Sequence, residues 1–188
     1  MKNIAIFASG TGSNAAAIID YFNGSPSVKV ALVLTNNPDA GVIKIAHSQK
    51  ILSAIITKDA LQNETLLLKL LNAVNTDLIV LAGFMQLLPQ FLIEKFPRRI
   101  INIHPALLPK FGGKGMYGGK VHQAVLAAKE TETGFTIHYV NEHYDEGEII
   151  LQKKVPIDPN DNAETLTHKV QQLEHANYPQ VIEKLLLG

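Results

Sequence analysis

The stretch IAIFASGTGSN, residues 4–14, joins a short apolar run to a turn that contains two glycines. The apolar residues 4–7 predict a buried strand, and residues 13–22 predict a helix that Ser13 or Asn14 opens. A strand, a glycine turn and a helix in this order are the beginning of a βαβ unit. The first 22 residues therefore favour a protein in which strands and helices alternate.

The same alternation continues along the whole chain. Apolar periodicity predicts further strands at 28–35, 53–57, 77–82, 99–103, 135–140 and 149–155, and helices at 40–50, 58–75, 88–96, 120–130 and 163–187. This pattern implies an α/β fold, with an open, mostly parallel, twisted Rossmann-like sheet and helices on both faces. The short connection between residues 140 and 149 predicts one antiparallel strand pair. No repeat or linker divides residues 1–188, so a single domain is expected.

The composition excludes several classes of function. Hydrophobic residues make up 46% of the chain and charged residues 18%, with 17 basic and 17 acidic side chains, so neither disorder nor a nucleic-acid surface is indicated. The lack of cysteine excludes disulfides and cysteine-ligated zinc. The first apolar run, residues 4–8, is followed neither by a small-residue cleavage site nor by a stretch of about 18 apolar residues. We therefore expect a cytoplasmic protein with neither a membrane nor a nucleic-acid partner.

The glycine turn SGTGSNA, residues 9–15, can present backbone N–H groups to an anion at a helix N-terminus, which favours a phosphate ligand. The turn also matches the G-x-G-x-x-A form of the dinucleotide fingerprint. However, the second predicted strand ends in Thr35-Asn36-Asn37, without the acidic residue that would hold a ribose. A dinucleotide is therefore disfavoured, and a tight turn needed only for packing stays as the alternative.

The segment Asn102-Ile103-His104-Pro105 lies at the end of a predicted strand. Residues two apart on a strand point the same way, so Asn102 and His104 share a face at the end where open α/β sheets bind ligands. An amide N–H can stabilise a developing oxyanion, and an imidazole can move a proton near neutral pH. The pair suits acyl transfer. The alternative is a polar strand end in which both side chains are only hydrogen-bonded.

A cluster of histidines and acidic residues lies in and after the strand predicted at 135–140, and it consists of His138, His143, Asp145, Glu146 and Glu148. An ionised carboxylate near His104 would favour the imidazolium and raise its pKa, which would make it a better general acid. A metal site is a second interpretation, although the spacing matches no helical His-x-x-x-His signature. A solvated acidic turn is a third.

Two further features are interpreted from the sequence without a catalytic assignment. His47, His122 and His168 lie on predicted helices without a nearby acidic partner in sequence, so they are predicted to be surface residues. The glycine-rich segment 112–119 is too short to be a linker between domains and is predicted to be a mobile loop.

Six motifs, in order and spacing, make the chain resemble the phosphoribosylglycinamide formyltransferases of purine synthesis along nearly its whole length. They are SGTGSN at 9–14, LAGFM at 81–85, NIHPALLPK at 102–110, GFTIH at 134–138, DEG at 145–147, and QLEH at 172–175 leading to Tyr178-Pro179. The resemblance implies transfer of a formyl group from the co-substrate 10-formyltetrahydrofolate to the amine of N1-(5-phospho-D-ribosyl)glycinamide (glycinamide ribonucleotide). This reaction is a step of de novo IMP synthesis, and it proceeds by direct attack through a tetrahedral intermediate, without a metal.

The resemblance also assigns roles to residues of this chain. Asn102 would steady the oxyanion, His104 would donate a proton, and Asp145 would raise the pKa of His104 and position a shuttling water. Binding of glycinamide ribonucleotide is assigned to Gly12, Ser13, Asn14 and Glu174. Binding of the folate is assigned to Met85, Gln86, Leu87, Leu88, Asn102, Val140, Asn141 and Tyr144.

The chain departs from the family pattern in three places. Gln86 stands where an arginine is frequent, and Asn63 lies near the position of another arginine that often contacts folate. The segment 111–119 differs from the shorter histidine-containing loop of many relatives, so no ligand contact is assigned to it.

Other families of enzyme resemble this chain in its core. Methionyl-transfer-RNA formyltransferases carry an additional C-terminal domain and formyltetrahydrofolate deformylases an additional N-terminal domain, so a length of 188 residues argues against both. Sugar-nucleotide formyltransferases stay open, since only the acceptor pocket distinguishes them. A nucleotide-binding module without catalysis is the alternative from another class. We expect small-molecule substrates as the only ligands, and a monomer or a weak homodimer.

Overall fold

The computed structural model describes all 188 residues. Seven strands and seven helices follow one another as β1 Lys2–Phe7, α1 Ser13–Phe22, β2 Val28–Thr35, α2 Gly41–Ser48, β3 Leu52–Ile55, α3 Lys58–Gln62, α4 Glu64–Ala73, β4 Leu78–Leu81, α5 Gln90–Lys95, β5 Ile100–His104, α6 Gly119–Ala127, β6 Glu132–Tyr139, β7 Ile149–Pro156 and α7 Ala163–Leu187. None of the helices is long and apolar enough to cross a bilayer.

The strands form one sheet in the order β3-β2-β1-β4-β5-β6-β7. The first five strands pair in parallel, while β6 is antiparallel to both β5 and β7. The mostly parallel α/β fold is thus confirmed, and so is the antiparallel pair across the 140–149 connection. A second antiparallel pair is β5 with β6. It arises because the chain, after α6, begins β6 at the end of the sheet where β5 finishes, whereas the five parallel strands all begin at the other end.

Both faces of the sheet are covered by helices, as expected. Along β1, Ile4 and Ile6 join a cluster of 22 buried residues on the face that α1, α2 and α7 cover. Ala5 and Phe7 join a cluster of 14 buried residues on the face that α3, α4 and α5 cover. Successive strand residues point to opposite faces, which explains why β1 and β4 are apolar without alternation.

The helix predicted at 58–75 is broken at Asn63 into α3 and α4. Asn63 has an extended backbone, and its Oδ1 accepts a hydrogen bond of 3.0 Å from the N–H of Leu66, which makes it the N-cap of α4. The leucine periodicity continues through the break. An internal cap of this kind leaves no mark on that periodicity, so the prediction of one helix was wrong.

Helix α1 begins at Ser13 as predicted, but neither Ser13 nor Asn14 opens it with a side chain. The N-cap is Gly12, whose φ of 83° lies in the left-handed region and which makes no side-chain cap. A Cβ at residue 12 would also lie 2.8 Å from Cβ of Val42, so glycine is required twice over. The polar side chains after Gly12 are therefore left for other contacts.

His122 is buried, and its prediction as a surface residue was wrong. It is 2% exposed because α6 packs against α7 and turns this position inward. His47 and His168 are exposed, as predicted. A helical histidine without an acidic partner in sequence can therefore lie on either face, and only the packing of the helix decides which.

Candidate active site

A cavity of about 630 Å³ opens at the carboxyl ends of β1, β4 and β5. The strand order reverses between β1 and β4, which is where open α/β sheets place their ligands. All the residues to which the family resemblance gave a role line this one cavity. They are Gly12, Ser13, Asn14, Met85, Gln86, Leu87, Leu88, Asn102, His104, Val140, Asn141, Tyr144, Asp145 and Glu174.

Three polar side chains meet at the centre of the cavity. Asn102 and His104 share a face of β5, and Asp145 reaches them from the loop between β6 and β7. The Nδ2 of Asn102 donates to Oδ1 of Asp145 at 3.3 Å, and Nδ1 of His104 lies 3.4 Å from Oδ2 of Asp145. A donor amide, an imidazole and a carboxylate within one hydrogen-bond network can together stabilise negative charge and move a proton.

The ring of His104 is buried with hydrogen-bond acceptors on both sides. Its Nε2 lies 2.8 Å from the carbonyl oxygen of Phe111, and its Nδ1 faces Asp145. Burial lowers the pKa of His104, and the attraction of Asp145 opposes this shift without reversing it. The prediction that Asp145 acts to raise the pKa was right about its direction of action. The predicted net rise was wrong, because the sequence did not show that the ring is removed from water.

Asp145 stays ionised although it is largely buried. Burial acts to raise its pKa, but the contact with His138, the charge of His104 and a backbone hydrogen bond act the other way, and the pKa is lowered overall. That backbone bond runs from the N–H of Gly113 to Oδ2 at 2.9 Å. The backbone of Asp145 has φ 59°, a strained value for a residue with a side chain, and such strain is often found at functional sites.

The glycine turn forms one end of the cavity together with α7. The N-terminus of α1 opens into the cavity, and the side chain of Asn14 donates to Oε2 of Glu174 at 2.8 Å. Glu174 is 4% exposed. Burial raises the pKa of Glu174 to about 7, and the hydrogen bond from Asn14 opposes this rise only in part. This end therefore combines an anion-binding helix terminus with a buried carboxyl group.

Exposed apolar side chains form the opposite end of the cavity. Met85 is 50% exposed and Leu87 is 41% exposed. The loop that carries them is held by Ser9, whose Oγ accepts from the N–H of Met85 at 3.0 Å and donates to Oδ1 of Asn36 at 2.5 Å. Asn36, found where a dinucleotide-binding protein would place an acidic residue, thus supports this loop instead.

Several residues of the site were not predicted from the sequence. Phe111 and the loop that follows contact the central network through main-chain atoms, which a side-chain motif does not reveal. Thr167 and Gln171 also line the cavity. They lie seven and three residues before Glu174 on α7, a spacing that places them on the same face of the helix and that could have predicted their position. His122 lines the cavity as well, and burial lowers its pKa to about 4. No group of three or more histidine, aspartate or glutamate side chains is arranged to hold a metal ion.

The sheet, its switch-point cavity and the central network suit an enzyme of acyl transfer, and comparison with known proteins defines the family. The chain belongs to the formyl transferase family, whose model matches residues 2–182.

Several relatives of the chain carry the same name. The chain is 38% identical to the phosphoribosylglycinamide formyltransferase of Bacillus subtilis, over 99% of this chain and 95% of that protein. It is 42% identical to the chloroplastic phosphoribosylglycinamide formyltransferase of Arabidopsis thaliana over 96% of this chain, but it spans only 64% of that relative's length. The crystal structure of glycinamide ribonucleotide transformylase 1 from Geobacillus kaustophilus matches with a TM-score of 0.89, 36% identity and 99% coverage of both chains.

Proposed function

We propose that this protein transfers a formyl group from 10-formyltetrahydrofolate to the amine of glycinamide ribonucleotide, a step of de novo purine synthesis. The observation that carries the proposal is the meeting of Asn102, His104 and Asp145 between two chemically different ends of one cavity. Relatives that match over nearly their full length, among them the Bacillus subtilis protein, are named for this activity.

The end formed by the glycine turn and α7 suits the acceptor. The backbone N–H groups at the start of α1, together with Ser13 and Asn14, would hold the phosphate. Glu174 lies one helix away and its carboxyl group can accept from, or donate to, a hydroxyl of the ribose, because its pKa is about 7. The phosphate is thus matched by the partial positive charge at the N-terminus of α1, and the ribose hydroxyls are matched by the carboxyl group of Glu174.

The opposite end suits the donor. A folate presents a flat ring system, which is stabilised by contact with apolar side chains and with backbone groups of a loop. Residues 85–88 and residues 140–144 provide such a surface on two sides of the cavity. Asn102 lies at the inner edge of this surface, where the formyl group would meet the amine.

The reaction follows from this placement. The amine attacks the formyl carbon, and the negative charge that develops on the formyl oxygen is stabilised by an N–H of Asn102, a contribution of roughly 3 to 4 kcal/mol for a good donor. Asp145 takes the proton of the amine through a water molecule. His104, as the imidazolium that Asp145 stabilises, gives a proton to N10 of the folate as the carbon–N10 bond breaks. The proton taken up by Asp145 then passes to His104, so protons balance and no bond to the enzyme forms.

We further propose that residues 1–188 act as one formyltransferase domain, as a monomer or weak homodimer in the cytoplasm, with small molecules as its only ligands. The single seven-stranded sheet supports the single domain. The cysteine-free sequence is consistent with a reducing compartment.

The test is a formyl-transfer assay with purified protein, 10-formyltetrahydrofolate and glycinamide ribonucleotide, in which each substrate is omitted in turn. We expect formation of tetrahydrofolate only when both substrates are present. Folate binding without transfer would indicate a different amine, and an aminosugar nucleotide would then be assayed. Binding of neither substrate would contradict the proposal.

A further inference from the structure

His138 lies directly beside Asn102 in the sheet. The two residues are partners in the antiparallel register of β5 and β6, and the side chain of His138 is 2% exposed. Its Nε2 is 3.2 Å from Nδ2 of Asn102. The mechanism above gives His138 no role, although it contacts the residue that is assigned to the oxyanion.

The main chain determines which nitrogen of His138 carries the proton. Its Nδ1 lies 2.8 Å from the carbonyl oxygen of Tyr139. A carbonyl oxygen can only accept, so Nδ1 must be the donor. In the neutral ring Nε2 is then unprotonated and accepts a hydrogen bond from Asn102. The tautomer of His138 thus makes it an acceptor at the position where Asn102 needs one.

Two acceptors together determine the orientation of the Asn102 amide. One N–H of Nδ2 points to Nε2 of His138, and the other points to Oδ1 of Asp145 at the longer distance of 3.3 Å. If the amide were turned by 180°, its carbonyl oxygen would face both of these acceptors and be repelled. That orientation would also present a carbonyl oxygen to the developing oxyanion, which would be unfavourable.

The surrounding strand and turn hold His138 in place. A Cβ at residue 147 would overlap the carbonyl oxygen of Tyr139 and would lie 3.3 Å from Nδ1 of His138. Gly147 is therefore required for the contact that determines the tautomer. The DEG motif contributes both Asp145 and this glycine, so one turn determines both acceptors of the Asn102 amide.

We propose that His138 is a positioning residue, which orients the Asn102 amide so that one N–H stays bound to His138 and the other is free to move from Asp145 to the oxyanion. This inference rests on the proposed formyl transfer. The proposed role of His138 is exerted through Asn102, and its Nε2 also lies 3.6 Å from Oδ1 of Asp145. Its effect therefore belongs to kcat, since the oxyanion exists only after both substrates are bound.

The experiment is a double-mutant cycle with His138→Phe, Asn102→Ala and the double variant, measured with purified full-length protein at saturating concentrations of both substrates. We expect His138→Phe alone to lower kcat by about tenfold or more, with both KM values changed by less than about twofold. In the Asn102→Ala background, the same substitution should lower kcat by less than about twofold. The exposed histidine variant His47→Gln is the control and should match the wild type.

A conservative variant distinguishes positioning from packing. Glutamine at residue 138 can place an acceptor oxygen close to the position of Nε2, so His138→Gln should keep most of the activity that His138→Phe loses. If glutamine and phenylalanine cause equal losses at equal thermal stability, the proposal is wrong. It is also wrong if the fold losses in kcat caused by the two single substitutions multiply in the double variant.

A measurement on the unmodified protein covers the case in which the variants do not fold. Two-dimensional 15N NMR of histidine-labelled wild-type protein near neutral pH should show His138 as the tautomer protonated at Nδ1. A neutral ring protonated at Nε2 would overturn the inference. A wild-type protein without formyl transfer would instead contradict the proposed function, so the two failures can be told apart.

Discussion

The two ends of the cavity are built in opposite ways. The end proposed to bind the acceptor, called the acceptor end, consists of a helix terminus, a glycine in a left-handed conformation and the contact of Asn14 with buried Glu174. The end proposed to bind the folate, called the donor end, consists of loop residues, with Met85 and Leu87 about half exposed. The acceptor end is therefore formed before any ligand binds, while the donor end gains much of its apolar burial from the ligand. The catalytic network lies between them, and substitutions should separate the three parts.

The largest effect should come from the network itself. His104→Ala should lower turnover by about a hundredfold or more, because the proton for the leaving nitrogen is lost, and should leave the binding of both substrates nearly intact. Steady-state kinetics with each substrate varied in turn, together with calorimetric titration of the acceptor, measure this. Unchanged turnover would exclude His104 as the proton donor.

The second prediction concerns the pH dependence of the acceptor end. The pKa of Glu174 rises from 4.5 to about 7 on folding, so between these values the folded protein binds more protons than the unfolded chain. Stability contributed by this group is full below pH 4.5 and is lost as pH rises to about 7. Glu174→Gln removes this loss, so its free energy of unfolding should gain about 3 kcal/mol on the wild type between pH 4.5 and pH 8.

Urea unfolding at several pH values provides the measurement, and Glu164→Gln, an exposed position on the same helix, is the control. The comparison between variants is needed because buried His104 and His122, whose pKa values are lowered, contribute the opposite slope. Parallel curves for the wild type and Glu174→Gln would show that Glu174 is not held protonated by burial.

The third prediction tests whether the acceptor end depends on its backbone. Gly12→Ala strains a φ of 83° and brings a methyl group against Val42, so it should raise the KM for the acceptor by about tenfold and leave the KM for the folate unchanged. Gly24→Ala shares a positive φ of 75° but meets no atom within 4 Å, and it lies outside the cavity. Equal effects of the two variants on the acceptor KM would contradict a specific role for the turn.

The smallest effect is expected at the donor end. Met85→Ala removes apolar surface that becomes buried only with the folate, so it should raise the folate KM by about threefold. Thermal stability should change little because the side chain is half exposed. Leu52→Ala, at a position on β3 that is 58% exposed, is the control. If the acceptor KM rises and the folate KM does not, the placement of Met85 at the donor end is wrong.

Most of the fold was readable from the sequence because it depends on local pattern. The bounds of β2 and α7 were predicted to the residue, since a valine- and leucine-rich run between polar turn residues and a helix that follows an asparagine cap carry their own limits. The break at Asn63 was not predicted, because an internal cap competes with a periodicity that continues through it. The buried position of His122 was not predicted either, because it depends on how α6 packs.

The site was readable as a set of residues but not as an electrostatic system. The resemblance implied that Asn102, His104 and Asp145 act together, and in the structure all three line one cavity. Their catalytic roles stay predictions. The net pKa of His104 depends on its distance from water, which no spacing in the sequence encodes. The same holds for Phe111, whose contribution is a carbonyl oxygen and not a side chain.

That main-chain contact has a consequence for protein engineering. Since residues 111 and 113 reach the network through a carbonyl oxygen and an N–H, the exposed side chains of Lys114 and Tyr117 can be varied without replacing any group that contacts His104 or Asp145. These two positions line the cavity, so they are suitable places to select for new acceptor amines, while Gly115, whose φ is 91°, is kept.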